Sequence, residues 1–154
     1  MQVVFRRRES DPALAREVED LRQRDMVTGL LNRSTFLHAL EDAVSKVVRD
    51  GEQHALLLVE PDHYQRLLQD FGLDSADALI AALAARLGDS LDDQATAARF
   101  GEHSFALLLK GDHQATARLS ERLRDAFASH VFNVGERSAS ITASIGGVQI
   151  GEKI

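Results

Sequence analysis

The sequence predicts an α+β domain, an antiparallel or mixed sheet with helices packed on its faces. Apolar residues at helical spacing alternate along the chain with short apolar runs of strand length. Two of those runs, Gln94–Phe100 and Ser104–Leu109, flank Gly101 as a central hairpin. A chain of 154 residues without internal repeats or low-complexity segments fits one domain able to bury an ordinary core.

The elements follow in order. From Ser10 to Arg24, Leu14, Val18 and Leu21 form a narrow seam on an otherwise charged helix. That seam suits either a surface helix packed on its own domain or a linker that carries a signal. Ser34 is the expected N-cap of a helix through Arg49, with Phe36, Leu37, Leu40, Val44, Val47 and Val48 on its core face and Gly51 as its stop. His54 to Val59 reads as a buried strand, followed by a helix from Asp62 to Asp70 that Phe71 and Gly72 close. A third helix spans Asp74 to Leu87, with Ala76, Leu79, Ile80, Leu83 and Leu87 at helical spacing and Gly88 ending it. After the hairpin come a helix from His113 to Ser129, using Leu119, Leu123, Ala126 and Phe127, and strands at Val131–Val134 and Ser138–Ile150.

Composition narrows the function. A formal charge of -6 and the lack of a long basic cluster argue against nucleic-acid or anionic-membrane partners. The Arg6-Arg7-Arg8 run is offset by Glu9 and Asp11. With no apolar run of bilayer length and no charged-then-apolar leader, neither membrane insertion nor export is expected, and a cytoplasmic location is. The absence of cysteine excludes disulfides and thiol chemistry. His38, His54, His63, His103, His113 and His130 show no metal-ligand spacing, and no nucleophile–base pair or glycine-rich phosphate loop occurs.

Three motifs carry a resemblance. Asp25-Met26-Val27-Thr28-Gly29-Leu30-Leu31-Asn32-Arg33 is similar to the D-x-L-T-G-L-x-N-R opening of GGDEF domains. Gly101-Glu102-His103-Ser104-Phe105 stands where that family carries its Gly-Gly-Asp/Glu-Glu-Phe turn. Ile141 to Val148 resembles the family's I-T-x-S-I-G-x strand, and the three signals fall in the family's order. The resemblance covers about Asp25 to Ile150 and rests on the conjunction, since each motif alone is a helix cap, a hairpin or an apolar strand. It implies a mixed central sheet of about five strands surrounded by helices, in a family that makes cyclic di-GMP from GTP. Residues 1–24 would then be an N-terminal linker helix, with Gln2–Arg6 resembling the last strand of a PAS sensory domain, and residues 25–154 a degenerate GGDEF domain. The family's C-terminal helix and closing strand do not appear.

The resemblance also locates the site. The family's metal-binding Asp at the end of the first central strand corresponds to Glu60, its guanine-reading Asn to Leu68 and its guanine-reading Asp to Asp77. The turn's second glycine has become Glu102, and its acidic positions are His103 and Ser104, neither of which replaces an oxyanion ligand well. The Lys near the phosphates falls at Gln65, and the Phe after Asp62 at Tyr64, a packing residue. Asp77 suits a second reading, as the acid that caps the third helix. The Arg and Asp of the family's inhibitory R-x-x-D product site correspond to Asp92 and Ala95.

Taken together, Glu60, Leu68, Asp77, Gly101, Glu102, His103 and Ser104 outline a vestigial nucleotide pocket, without catalytic or metal-binding residues and without a cofactor. The expected role is a catalytically inactive regulatory and interaction module in cyclic di-GMP signalling, resembling FimX-type GGDEF-EAL regulators of twitching motility. Its expected partners are proteins and the PAS-like and EAL domains of a longer chain. The alternative is a GTP-binding allosteric domain that regulates an adjacent EAL domain without making cyclic di-GMP.

Overall fold

A computed structural model describes residues 11–151. The PAS-like stretch and the Arg6–Arg8 run lie outside those residues. The elements are α1 (Pro12–Gln23), α2 (Arg33–Asp50), β1 (His54–Pro61), α3 (Tyr64–Phe71), a 3-10 turn (Leu73–Ser75) and α4 (Ala76–Asp89). The hairpin strands β2 (Ala95–Arg99) and β3 (Phe105–Lys110) follow, then α5 (His113–Ala128), β4 (Val131–Val134), β5 (Arg137–Ser140) and β6 (Ala143–Ile150).

The central sheet has four strands in the order β2-β3-β1-β6, and each pairing among them is antiparallel. A single parallel bridge, Leu31 to Ala98, adds a further segment beside β2. β4 and β5 form a separate ribbon, turned at Gly135 with its left-handed backbone. The apolar stretch expected as one strand from Ser138 to Ile150 therefore divides at Ile141–Thr142, where the chain leaves the ribbon and enters the sheet.

At β3 both sheet faces are covered, which explains why that strand is buried at each position from Phe105 to Leu109 and carries no alternation. On one face Leu57, Val59, Phe105, Leu107 and Leu109 pack against α3, α4 and α5 through Leu67, Leu79, Leu83, Leu123 and Phe127. On the other face α2 sets Phe36 and Ala43 against Ala98, Ala106 and Leu108.

Several sequence expectations need correction. The N-cap of α2 is Asn32, whose side chain accepts from Thr35 N at 2.9 Å, and Ser34 is already inside the helix. Only Phe36, Ala43 and Val47 of α2 are buried; Leu37 and Val44 are partly exposed and Val48 is 65% exposed, because one sheet face cannot cover an apolar stripe that wide. Gly88 lies within α4, which runs on to Asp89 and ends at Ser90. No residue of α1 is buried, and its seam faces solvent, with Leu14 46%, Val18 41% and Leu21 70% exposed. Among the described residues no helix is long and apolar enough to cross a membrane.

Candidate functional site

β1, the start of α3 and the β2–β3 hairpin tip converge at one end of the sheet. The register that pairs Val59 with Phe105 on one side pairs Glu60 with Ser144 on the other and carries Glu60 to the level of Ser104. Glu60 is exposed. The next acid, Asp62, is engaged: its carboxylate accepts from Thr142 Oγ1 at 2.6 Å and Ser144 Oγ at 2.5 Å, and its N–H donates to Thr142 O at 2.9 Å. The Ser144 bond, then the Thr142 bond, hold its carboxyl below the usual range against a smaller burial penalty.

His63 follows with φ 58° and ψ 42°, the sole non-glycine among the described residues with positive φ. A β-carbon crowds that region, so the residue stores strain at the turn from β1 into α3. It is the N-cap of α3 yet makes no side-chain cap, which leaves the first N–H groups of that helix without a side-chain acceptor. Tyr64, Leu67, Leu68 and Phe71 form the buried stripe of α3.

The tip is a tight turn in which Phe100 N and Gly101 N both donate to Ser104 O, at 2.9 and 3.2 Å. Gly101 lies in the turn as expected, without a left-handed backbone. What it supplies is space: a Cβ there would stand 2.5 Å from Ser104 Oγ. His103 folds inward and stacks on Tyr64, ring centroids 4.3 Å apart and planes within 9°. Tyr64 is 5% exposed, and both its hydroxyl and His103 Nδ1 are buried without a hydrogen-bond partner. Burial first, then the charges of Glu102 and Asp77, raise the Tyr64 pKa, with Arg99 opposing.

The remaining candidates separate. Glu102 is exposed, and its carbonyl accepts from Arg99 Nη2 at 2.8 Å. Leu68 is 7% exposed and belongs to the main core, so the position expected to read guanine is filled by packing. Asp77 is exposed in the first turn of α4, one residue beyond the N-terminus, where the helix dipole favours an acid; the cap position belongs to Ser75. Gln65 is exposed. Among the described residues no group of three or more His, Asp or Glu side chains is arranged to hold a metal ion.

At the position expected to match the family's product site, Asp92 Oδ1 accepts from Gln94 N at 2.9 Å, and Oδ2 lies 3.8 Å from Arg122 Nη2. Asp92 thus pairs with an arginine of α5 on the wall of a cavity of about 140 Å³, also lined by Lys110 and Arg118. Ala95 begins β2.

Two contributors were not read from the sequence. Asp62 appeared only as a landmark, since its partners Thr142 and Ser144 lie about eighty residues away. Arg99, unassigned in the sequence, bonds both the Asp25 turn and the tip.

The profile of the GGDEF family, described as diguanylate cyclase, GGDEF domain, matches residues 22–153. The chain belongs to the GGDEF family. Among solved structures this GGDEF domain is similar to the FimX GGDEF domain from Pseudomonas aeruginosa, with 36% identity and a TM-score of 0.80 over 86% of this chain and 82% of that one. It is also similar to the diguanylate cyclase SiaD of the same organism, solved with its activator SiaC, at 26% identity and a TM-score of 0.80 over 96% of this chain and 57% of that one. Diguanylate cyclase DgcP of Pseudomonas aeruginosa is 36% identical over 133 residues, 84% of this chain and 20% of DgcP. The bifunctional diguanylate cyclase/cyclic di-GMP phosphodiesterase MucR is 30% identical over 132 residues, 85% of this chain and 19% of MucR. The GGDEF domain described here thus spans about a fifth of the length of those two relatives.

Proposed function

We propose that this GGDEF domain serves cyclic di-GMP signalling without joining GTP molecules, as a regulatory module that contacts other proteins. One observation carries the reading: where the family places a carboxylate in the hairpin tip, His103 lies flat on Tyr64. Phosphoryl transfer from GTP depends on positioning and on divalent ions that neutralise charge. Magnesium needs a near-octahedral oxygen shell that usually includes carboxylates. The residues here do not fit that ion, because Asp62 is committed to Thr142 and Ser144 and Glu60 is left as the one acid at the metal positions. Exposed Glu102 adds a negative charge where a triphosphate would lie. With Leu68 in the core, a guanine edge goes unpaired at a cost of about 1–3 kcal/mol.

The longer architecture proposed is the FimX-type GGDEF-EAL one, acting in twitching motility, with residues 1–24 as a linker from a PAS-like domain and an EAL domain following. The likeness to the FimX GGDEF domain and the small share of each longer relative that the chain spans support it. A second reading, GTP binding without turnover, is favoured by the exposed acids Glu60 and Asp77 and by the uncapped first turn of α3.

Titrating GTP by calorimetry with and without magnesium, alongside chromatography of the products, tests both. The expected result is neither product nor magnesium-dependent binding. Cyclic di-GMP above a protein-free blank overturns the proposal, whereas binding without product selects the second reading. Cyclic di-GMP itself is expected not to bind, since Asp92 and Ala95 supply neither the arginine nor the acid of the R-x-x-D site.

A further inference from the structure

Arg99 ends β2 beside the hairpin tip, and its guanidinium holds two segments far apart in the sequence. Nη1 lies 3.4 Å from Asp25 Oδ1, and Nη2 donates to Glu102 O at 2.8 Å. The other carboxylate oxygen of Asp25 accepts from Thr28 N and Thr28 Oγ1, both at 2.9 Å. The group that Arg99 touches is therefore the one that shapes the turn at the foot of α1. Burial raises the Asp25 pKa, but the Thr28 bonds and Arg99 outweigh it and hold the carboxyl below its usual range.

The backbone joins the same segments. Leu31 N donates to Ala97 O at 3.3 Å, and Leu31 O accepts from Arg99 N at 3.0 Å. Asn32 returns to the last turn of α1, its N–H donating to Gln23 O at 2.8 Å and its side-chain amide to Arg22 O at 2.6 Å. The side chains of Arg99 and Asp25 are 18% and 21% exposed, so water screens their attraction only in part.

We propose that Arg99 is the positioning residue through which the direction of α1 sets the conformation of the hairpin tip. Moving α1 draws the Asp25 turn away from the guanidinium. Arg99, losing one of its two anchors, then holds Glu102 O less firmly, and the tip loses a bond at the residue next to His103. A planar fork bonds two acceptors at once, which a lysine ammonium in that place does not reproduce. The coupling concerns conformation alone and holds whether or not the domain turns over GTP.

The chain has one tyrosine, Tyr64, and no tryptophan, so its intrinsic fluorescence reads the tip. Asp25→Asn in the whole chain removes the charge at the far anchor. Hydrogen exchange at the Phe100 and Gly101 amides is expected to accelerate at least about five-fold, and the fluorescence anisotropy of Tyr64 to fall. Arg99→Lys should do the same, and the double variant should exchange no faster than Arg99→Lys alone. Coupling is reciprocal, so His103→Ala should accelerate exchange at the Asp25 and Gly29 amides. A folded Asp25→Asn variant with wild-type exchange at Phe100 and Gly101 overturns the proposal, as does additivity in the double variant. Should Asp25→Asn not fold, Arg99→Lys decides: unchanged exchange at either the tip or the Asp25 turn refutes it.

Discussion

Replacing Asp62 by alanine removes the acceptor that ties β6 to the end of β1, and the cost is calculable. Two hydroxyls donate to this carboxylate, from Thr142 at 2.6 Å and Ser144 at 2.5 Å. Hydrogen bonds to a charged group are worth about 1.5–3 kcal/mol each, and partial exposure roughly halves that, so Asp62→Ala should cost about 2 kcal/mol near neutral pH. At about 2–4 °C per kcal/mol for a domain of this size, Tm should fall by about 4–8 °C. The loss should depend on pH with a definite sign. Asp62 is more acidic folded than the ordinary aspartate value of 3.8, so its contribution is complete once both states are ionised, above that value. It fades as the pH drops through the lower native pKa. Melting followed by circular dichroism should therefore show a wide gap between wild type and Asp62→Ala at about pH 6 that closes on acidification. A gap below about 0.5 kcal/mol, or one that does not narrow in acid, refutes the reasoning.

Other outcomes follow from burial, strain and the exposed seam. Phe36→Ala should cost about 3–5 kcal/mol, because the ring is fully buried between α2 and the sheet, whereas Val48→Ala on the open side of the same helix should cost less than about 0.5 kcal/mol; urea titration separates them. His63→Gly should stabilise the fold by about 0.5–1 kcal/mol in the same measurement, since glycine adopts the left-handed backbone without strain, and a loss of stability would show that the side chain holds the turn. Light scattering of the dilute chain should give a monomer, since two heptads bury too little surface to pair unaided; a stable dimer that Leu14→Glu with Leu21→Glu dissociates would contradict this.

Much of the fold was legible because its signals are local. The hairpin, the helical stripes of α3 to α5 and the Gly51 stop each follow from residues a few positions apart. Which part of an apolar stripe is buried is not a local property: Val48 and Phe36 read alike in sequence, and only the docking of α2 over Ala98, Ala106 and Leu108 separates them. The break between β5 and β6 was hidden for a similar reason, since one apolar stretch serves two different sheets. At the site, spacing singled out Glu60, Leu68 and the tip as positions along the chain. It could not show that His103 would fold onto Tyr64, or that Asp62 and Arg99 would spend their hydrogen bonds on segments some eighty and seventy residues away.

The place of β1 in the sheet has a consequence for how the chain is made. It is the first strand of the sheet to leave the ribosome, yet it lies inside, and its partners begin at Phe105 and Ala143. The hairpin β2–β3 can zip locally, but β1 is separated from one neighbour by about forty residues and from the other by about eighty. Throughout that interval Ala55, Leu57 and Val59, all buried in the finished sheet, stand on an unpaired edge, the kind of surface that chaperones cover. Vectorial synthesis therefore offers this domain little head start, and slowing translation between His113 and Ala143 should prolong its exposure to misassembly rather than help it fold.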